Sequence, residues 1–450
     1  MTSLRGSGIF HPDFRDKPFW WEAWRPGGDS PADLPARTDV AIVGGGYTGL
    51  SAALELAHAG VAAAVIEAHD FGHGASTRNG GHVSGGVNLS KGLSARAGRN
   101  SAGGKDPDLS QRAAAALLTD AAASFDCLEA VIAREQIQCC YERSGRFVGA
   151  YAARHYDTLA RRVEILNRHT DAGASLVPRE RQREEIASDF YYGGIAVRRS
   201  GKLHPALYYK GLLDACRRSG VTLCPHAFVH GLRRRPGGLI LDTDRGAVEA
   251  ERVVIATNGE TGGTTPALKR RVIPVASHII ATEELSPDLA RSLFPTGKTI
   301  SDTPRLLTYY RISPDGRRVL FGGRARFTQV APEVSAPVLY RFMTDRLPQL
   351  RGVKITHAWT GNVAFTFDSL PHMGRHEGVY YALGCNGSGV AMMTYLGTQT
   401  ARKIVGRAET VCAFDTGHLP GARWYTGEPW FLPLLWTYYR ARDVIDRRLG

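Results

Sequence analysis

The sequence predicts a mixed α/β fold, α+β overall, in which a layer of β-α-β units is interleaved with an antiparallel sheet. Three observations predict it. Residues 39–67 read as strand, glycine turn, helix and strand. Apolar runs that close on small polar or glycine loops recur at 252–259 and 380–390, and residues 272–282 and 304–326 read as strands with a Pro314-Asp-Gly turn.

The first of these units is the most specific. Val40 to Val43 is a short apolar run of the kind buried on both faces of a parallel sheet. Gly44, Gly46 and Gly49 follow at G-x-G-x-x-G spacing. The first allows a tight turn, the second lets backbone approach a pyrophosphate, and the third lets the next helix pack closely on the strand. That helix is expected over about 48–59, with Leu50, Ala53, Leu54 and Ala57 on one face and Gly60 ending it. The second strand ends at Glu67, where a carboxylate accepts hydrogen bonds from a ribose hydroxyl. A β-α-β unit that binds nothing gains nothing from three glycines at its helix start. The unit is Rossmann-like, and an adenine dinucleotide is its expected ligand.

At 450 residues, 43% hydrophobic and 22% charged, the chain has room for two or three domains with real cores. The net charge of +13 comes from 56 basic residues, mostly arginines scattered along the chain. They read as solvated surface, so no nucleic-acid partner is expected. Seven cysteines without a C-x-x-C pair, two of them adjacent at 139 and 140, fit neither a disulfide framework nor a zinc site. No segment has the length and apolarity of a signal peptide or membrane span, and the stretch 430–436 is too short and holds Pro433. A cytoplasmic protein without a metal is the expectation.

Taken in order, residues 1–38 read as an arm whose Phe19, Trp20, Trp21 and Trp24 pin onto the body. A glycine-dense loop spans 71–86, then an irregular stretch 87–108. Helices are expected over 110–134, 152–169, 206–219, 333–350 and from 388 to about 405, with a strand at 145–150. The implied division places the nucleotide domain in 39–100, 195–270 and 353–405. A substrate domain takes 101–194 and 271–352, and 406–450 is a C-terminal extension. The helix beginning near Ser388 has a positive N-terminus suited to an anion.

These landmarks in this order resemble the D-amino acid oxidase superfamily of FAD enzymes, and within it the γ-glutamylputrescine oxidase-like branch. The carrying motifs are 43–50, 74–81, 256–259, 359–361 with 368–371, and 384–389; the tail 425–433 resembles tails of one branch. The resemblance implies FAD as cofactor, with Gly44, Gly46 and Gly49 at the pyrophosphate and Glu67 at the adenosine ribose. Ser76, Arg78, Asn79, Gly80 and Gly81 would run along the isoalloxazine and ribityl chain. Val229 would meet adenine, Asn258 and Gly259 the phosphates, and Gly387, Ser388, Gly389 and Val390 the pyrimidine end. Two departures stand out: His82 replaces a common Gln, where it either hydrogen-bonds or attaches flavin covalently, and Thr77 replaces a common Gly.

The implied reaction moves a hydride from the carbon beside an amine nitrogen to flavin N5, with O₂ or another acceptor reoxidising the flavin. The substrate is then a small amine or amino acid. Such chemistry needs positioning more than a strong base, and no Ser-His-Asp order, G-x-S-x-G elbow or metal-ligand cluster is present. On the substrate side, Arg324 with Tyr310 is the expected carboxylate clamp, with Tyr309, Arg311 and Arg326 on the same strands. His204 and Trp359 are candidate cavity walls, core packing being the alternative for both. An amine dehydrogenase feeding a quinone or electron-transfer protein, and a non-catalytic flavin-binding protein, are the rival readings.

Overall fold

The computed structural model describes residues 8–28, 33–85, 107–407 and 411–449. The irregular stretch expected before 107 lies outside the described residues, and Pro107 already begins a helix. The longer helices are α1 (Tyr47–His58), α2 (Pro107–Arg134), α3 (Ala153–His169), α4 (Pro205–Arg218), α5 (Pro332–Arg346), α6 (Gly389–Ile404) and α7 (Leu432–Leu449).

Among the described residues the first sheet has eight strands. Its main path runs Val229–Arg235, Gly238–Thr243, Gly246–Ile255, Arg37–Val43, Ala63–Ile66 and Thr222–Cys224. Gly246–Ile255 begins as a hairpin arm and ends as a parallel strand, its last residues beside Val43 on one side and Val379–Leu383 on the other. The apolar run at 252–255 is therefore covered on both faces, as its composition requires. On one face α1 packs against α6, so tightly that a Cβ on Gly397 would lie 2.3 Å from the Thr48 carbonyl oxygen. Leu50, Leu54, Leu396 and Ile42 sit in this core, each such side chain contributing about 1.5–3 kcal/mol by burial.

The second sheet has nine strands in the order Phe10–Arg15, Ile355–Phe365, Ile273–Thr282, Val319–Gly323, Thr308–Ile312, Thr299–Asp302, Arg146–Gly149, Gly194–Val197 and Ala174–Val177. One face is sealed by α5, whose Leu339 and Met343 join Phe147, Ile280, Tyr310 and Phe321 in a dry cluster. The other face looks toward the first sheet. This order departs from the expected division at three places: Ile355–Phe365, Gly194–Val197 and the arm strand Phe10–Arg15 all belong to this sheet. Ile355–Phe365 is held there by antiparallel pairing along nearly all of Ile273–Thr282.

The arm buries Trp20 completely. Its indole N–H donates to the Asn79 carbonyl at 2.8 Å, and that of Trp21 donates to the Thr77 hydroxyl at 3.0 Å. At the other end, α7 starts with Pro433 in its first turn, where a missing N–H costs nothing. Its Asp443 carboxylate accepts the backbone N–H groups of Arg305 and Leu306. Among the described residues no helix is long and apolar enough to cross a membrane.

Candidate active site

A cavity of about 550 Å³ opens at the carboxyl ends of the parallel strands and runs on to the inner face of the second sheet. Crevices of this kind form where strand ends diverge. At its start, Gly44 adopts φ +104°, and a Cβ there would lie 2.9 Å from the Ala256 carbonyl oxygen. Gly46 caps α1 without a side-chain cap, and no acid stands in the first turn of that helix. The Ser76 hydroxyl takes the Tyr47 N–H, leaving the helix end positive toward the cavity. The Glu67 carboxylate accepts the N–H of Gly45 at 2.8 Å and of His69 at 3.0 Å. Burial raises its pKa, and those N–H groups oppose the rise.

The glycine-dense loop forms the middle wall and is locked from within. The Asn79 side chain accepts the Gly81 N–H at 2.9 Å and donates to the Ser76 carbonyl at 2.9 Å. The Arg78 guanidinium lies 4.6 Å over the Trp21 ring and donates to the His73 carbonyl. Opposite, Asn258 takes φ +44° and its side-chain oxygen accepts the Gly384 N–H. Gly387, Gly389 and Val390 bring the N-terminus of α6 to the same cavity, again with no acid in its first turn.

The far wall is the second sheet. The Tyr309 ring is sandwiched by glycines: a Cβ on Gly80 or on Gly322 would fall 2.7 or 2.3 Å from it. Its hydroxyl shares a 2.9 Å hydrogen bond with Ser277, and burial pushes its pKa up to about 12, so it stays a phenol at neutral pH. The Arg324 guanidinium rests 4.8 Å over the Phe365 ring, its pKa lowered by burial. His82 meets Tyr309 edge to face at 5.5 Å.

A match to a known family covers most of the chain. Residues 39–403 fit the model of the FAD dependent oxidoreductase family. The chain belongs to that family. It is 33% identical over 420 residues to the γ-glutamylputrescine oxidoreductase of Escherichia coli K12, covering 92% of this chain and 93% of that one. Its fold is similar to glycine oxidase from Geobacillus kaustophilus, with a TM-score of 0.70 at 21% identity over 86% of this chain and 99% of the other. L-proline dehydrogenase from P. horikoshii gives 0.69 at 19% identity, over 85% and 98%.

FAD is the cofactor of this oxidoreductase family, and the residues fit it. Two helix N-termini without acids converge on one cavity, as a pyrophosphate and a flavin that gains negative charge require. Of the residues expected from sequence, Gly44, Gly46, Glu67, Ser76, Arg78, Asn79, Gly80, His82, Val229, Asn258, Gly259, Gly387, Gly389, Val390 and Arg324 line the cavity. Gly49, Gly81 and Ser388 stand behind its wall. A Cβ on Gly49 would meet the Gly44 carbonyl oxygen at 2.0 Å, so that glycine serves helix packing.

Three substrate-side expectations are corrected. Tyr310 points to the opposite face, where its hydroxyl meets that of Tyr191 and its ring stacks on Phe321. Neighbours on a strand face opposite ways, so it is Tyr309 that faces the cavity. His204 caps α4: its Nδ1 accepts the Leu207 N–H, its ring packs on Trp20, and burial beside Arg311 brings its pKa down to about 4. Trp359 is buried, its indole N–H donating to the Arg78 carbonyl at 2.7 Å, which props the glycine loop from behind. Sequence reading passed over Gly45, Ser277, Leu307 and Arg146, which also line the cavity. The Gly322-Gly323 pair across from Tyr309 was the available signal for the sheet wall.

Proposed function

We propose that the chain oxidises the C–N bond of a small amine or amino acid and passes the electrons to O₂. The observation that carries this reading is the continuity of the cavity from the glycine loop to a polar sheet wall, which a flavin-binding protein without a substrate has no use for. Bound FAD supplies a two-electron acceptor for the hydride on the carbon beside nitrogen, leaving an imine that water hydrolyses. Similarity to a γ-glutamylputrescine oxidoreductase supports an amine as the electron donor.

The chain's own residues bind and orient. Arg324 offers a guanidinium to a substrate carboxylate, and the Tyr309 hydroxyl offers a proton donor or acceptor beside it.

The test is oxygen uptake with a panel of amines and amino acids. One carbonyl product and one hydrogen peroxide are expected per O₂ consumed. Arg324→Gln raises KM for a carboxylate-bearing substrate by about tenfold to a hundredfold, the range of a hydrogen bond to a charged group. A panel that reduces artificial dyes but consumes no O₂ would make the acceptor a quinone or an electron-transfer protein. A panel that supports neither reaction would overturn the reading.

A further inference from the structure

One charged feature of the cavity is not used by this chemistry. Arg146 stands on the strand Arg146–Gly149 with its side chain on the cavity face, because its Nε and Nη2 donate to the Ser301 hydroxyl at 3.0 and 2.7 Å. Ser301 lies on the neighbouring strand and is paired with Tyr309 on the strand beyond it. Arg146 is only 4% exposed, yet among the described residues no carboxylate makes a direct ion pair with it, the nearest, Asp302, being engaged by Arg346. Asp302 next door is taken by Arg346, at 2.6 Å, and by Thr308. Burial first, and the like charge of Arg162 second, bring the Arg146 pKa down to about 10, against the weaker attraction of Asp302. Its Nη1 and the hydroxyl of Ser84 make no hydrogen bond to a described residue, and both residues line the cavity. Beside them, both ring nitrogens of His82 are buried and without a partner. Burial, then Arg146, Arg311 and Lys202, hold that imidazole neutral, so it keeps one donor and one acceptor.

A buried guanidinium whose hydrogen-bond partner among the described residues is a single hydroxyl is costly to stability. An anion delivered through the cavity removes that cost. The pyrophosphate belongs to the N-terminus of α1, and the pyrimidine end of the flavin to the N-terminus of α6, so neither supplies it. Arg324 follows the strand Val319–Gly323, and Arg146 lies three strand spacings away, roughly 14 Å along the floor. We propose that Arg146, with Ser84 and His82, forms a second anion subsite that takes a carboxylate of the substrate remote from the one held at Arg324. The inference rests on the amine-oxidising reading and narrows its substrate class to amines carrying two separated acidic groups.

The test uses ligands that cannot be oxidised, so that it stands apart from turnover. Glutarate and adipate, with pentanoate and hexanoate as their one-carboxylate counterparts of equal chain length, are titrated into the FAD-loaded enzyme by calorimetry and by perturbation of the flavin spectrum. The dicarboxylates bind at least tenfold tighter than their counterparts. Arg146→Gln abolishes that preference, Arg146→Lys keeps most of it, and Arg324→Gln weakens both ligand types. If Arg146→Gln fails to fold, the wild-type preference and the Arg146→Lys comparison still decide. Equal affinities in the wild type would overturn the subsite, as would a preference that survives Arg146→Gln with normal flavin content. A preference for dicarboxylates in an enzyme that oxidises no amine would leave the subsite standing and remove the amine reading.

Discussion

Gly49 and Tyr309 show the two ways a single residue shapes this site. At 49 the constraint is contact. A methyl group would sit 2.0 Å from the Gly44 carbonyl oxygen, so α1 must move off the strand that carries the glycine turn. Gly49→Ala is expected to cost about 1–3 kcal/mol as an overpacking substitution and to lower the flavin-to-protein ratio. Thermal melting and the visible spectrum check both. At 309 the constraint is direction. A tyrosine, a second tyrosine and an arginine in sequence offer no sign of which ring faces the cavity; only the pairing of Tyr309 with Gly322 decides it. The glycine turn at the mouth of the cavity was legible because Gly44 and Gly49 answer to backbone contacts at fixed spacing. The substrate wall was not, because Ser277, Tyr309, Ser301 and Arg146 meet only through the pairing of strands far apart in sequence. His204 and Trp359 show the same limit: both are polar-tipped residues near the site, and each spends its polar atom on backbone.

At the scale of elements, the tail is what sequence reading left blank. Pro433 and a short apolar run gave no helix, yet a proline in a first turn is compatible with one, and α7 runs for 18 residues. It lies beyond the region matched to the family, residues 39–403, and nevertheless braces the sheet wall of the cavity. The Trp436 indole N–H donates to the Arg324 carbonyl at 3.1 Å, and Asp443 fixes Arg305 and Leu306, whose neighbour Leu307 lines the cavity. Trp436→Phe keeps the ring and removes the donor, a loss of about 0.5–1.5 kcal/mol. The expected result is a KM raised by roughly threefold to tenfold for carboxylate-bearing amines with kcat little changed, read from steady-state kinetics. Equal change for amines without a carboxylate would mean that α7 acts on the fold rather than on Arg324.

At the scale of the whole molecule, two sheets share a cavity that neither could form alone, and histidines are buried around it. His204 and His278 have pKa values brought down to about 4 by burial, and His82 is held well below its usual range. In the unfolded chain imidazole titrates near 6.5. Between those values the unfolded state binds more protons, so stability falls as pH falls from about 6.5 toward 4. Each of the first two contributes up to about 3 kcal/mol to that loss, and denaturant melts across this window measure it. His204→Asn, which retains a capping group, reduces the slope.

The central claim is that this cavity holds FAD and an amine in reacting contact. The most direct test is the visible spectrum of the purified protein under anaerobic conditions, before and after amines bearing one or two carboxylates are added. Flavin bands that bleach with an amine, and do not bleach with the matching carboxylic acid that lacks nitrogen, are the predicted result. Flavin bands that persist with every amine, in protein loaded with FAD and correctly folded, would contradict it.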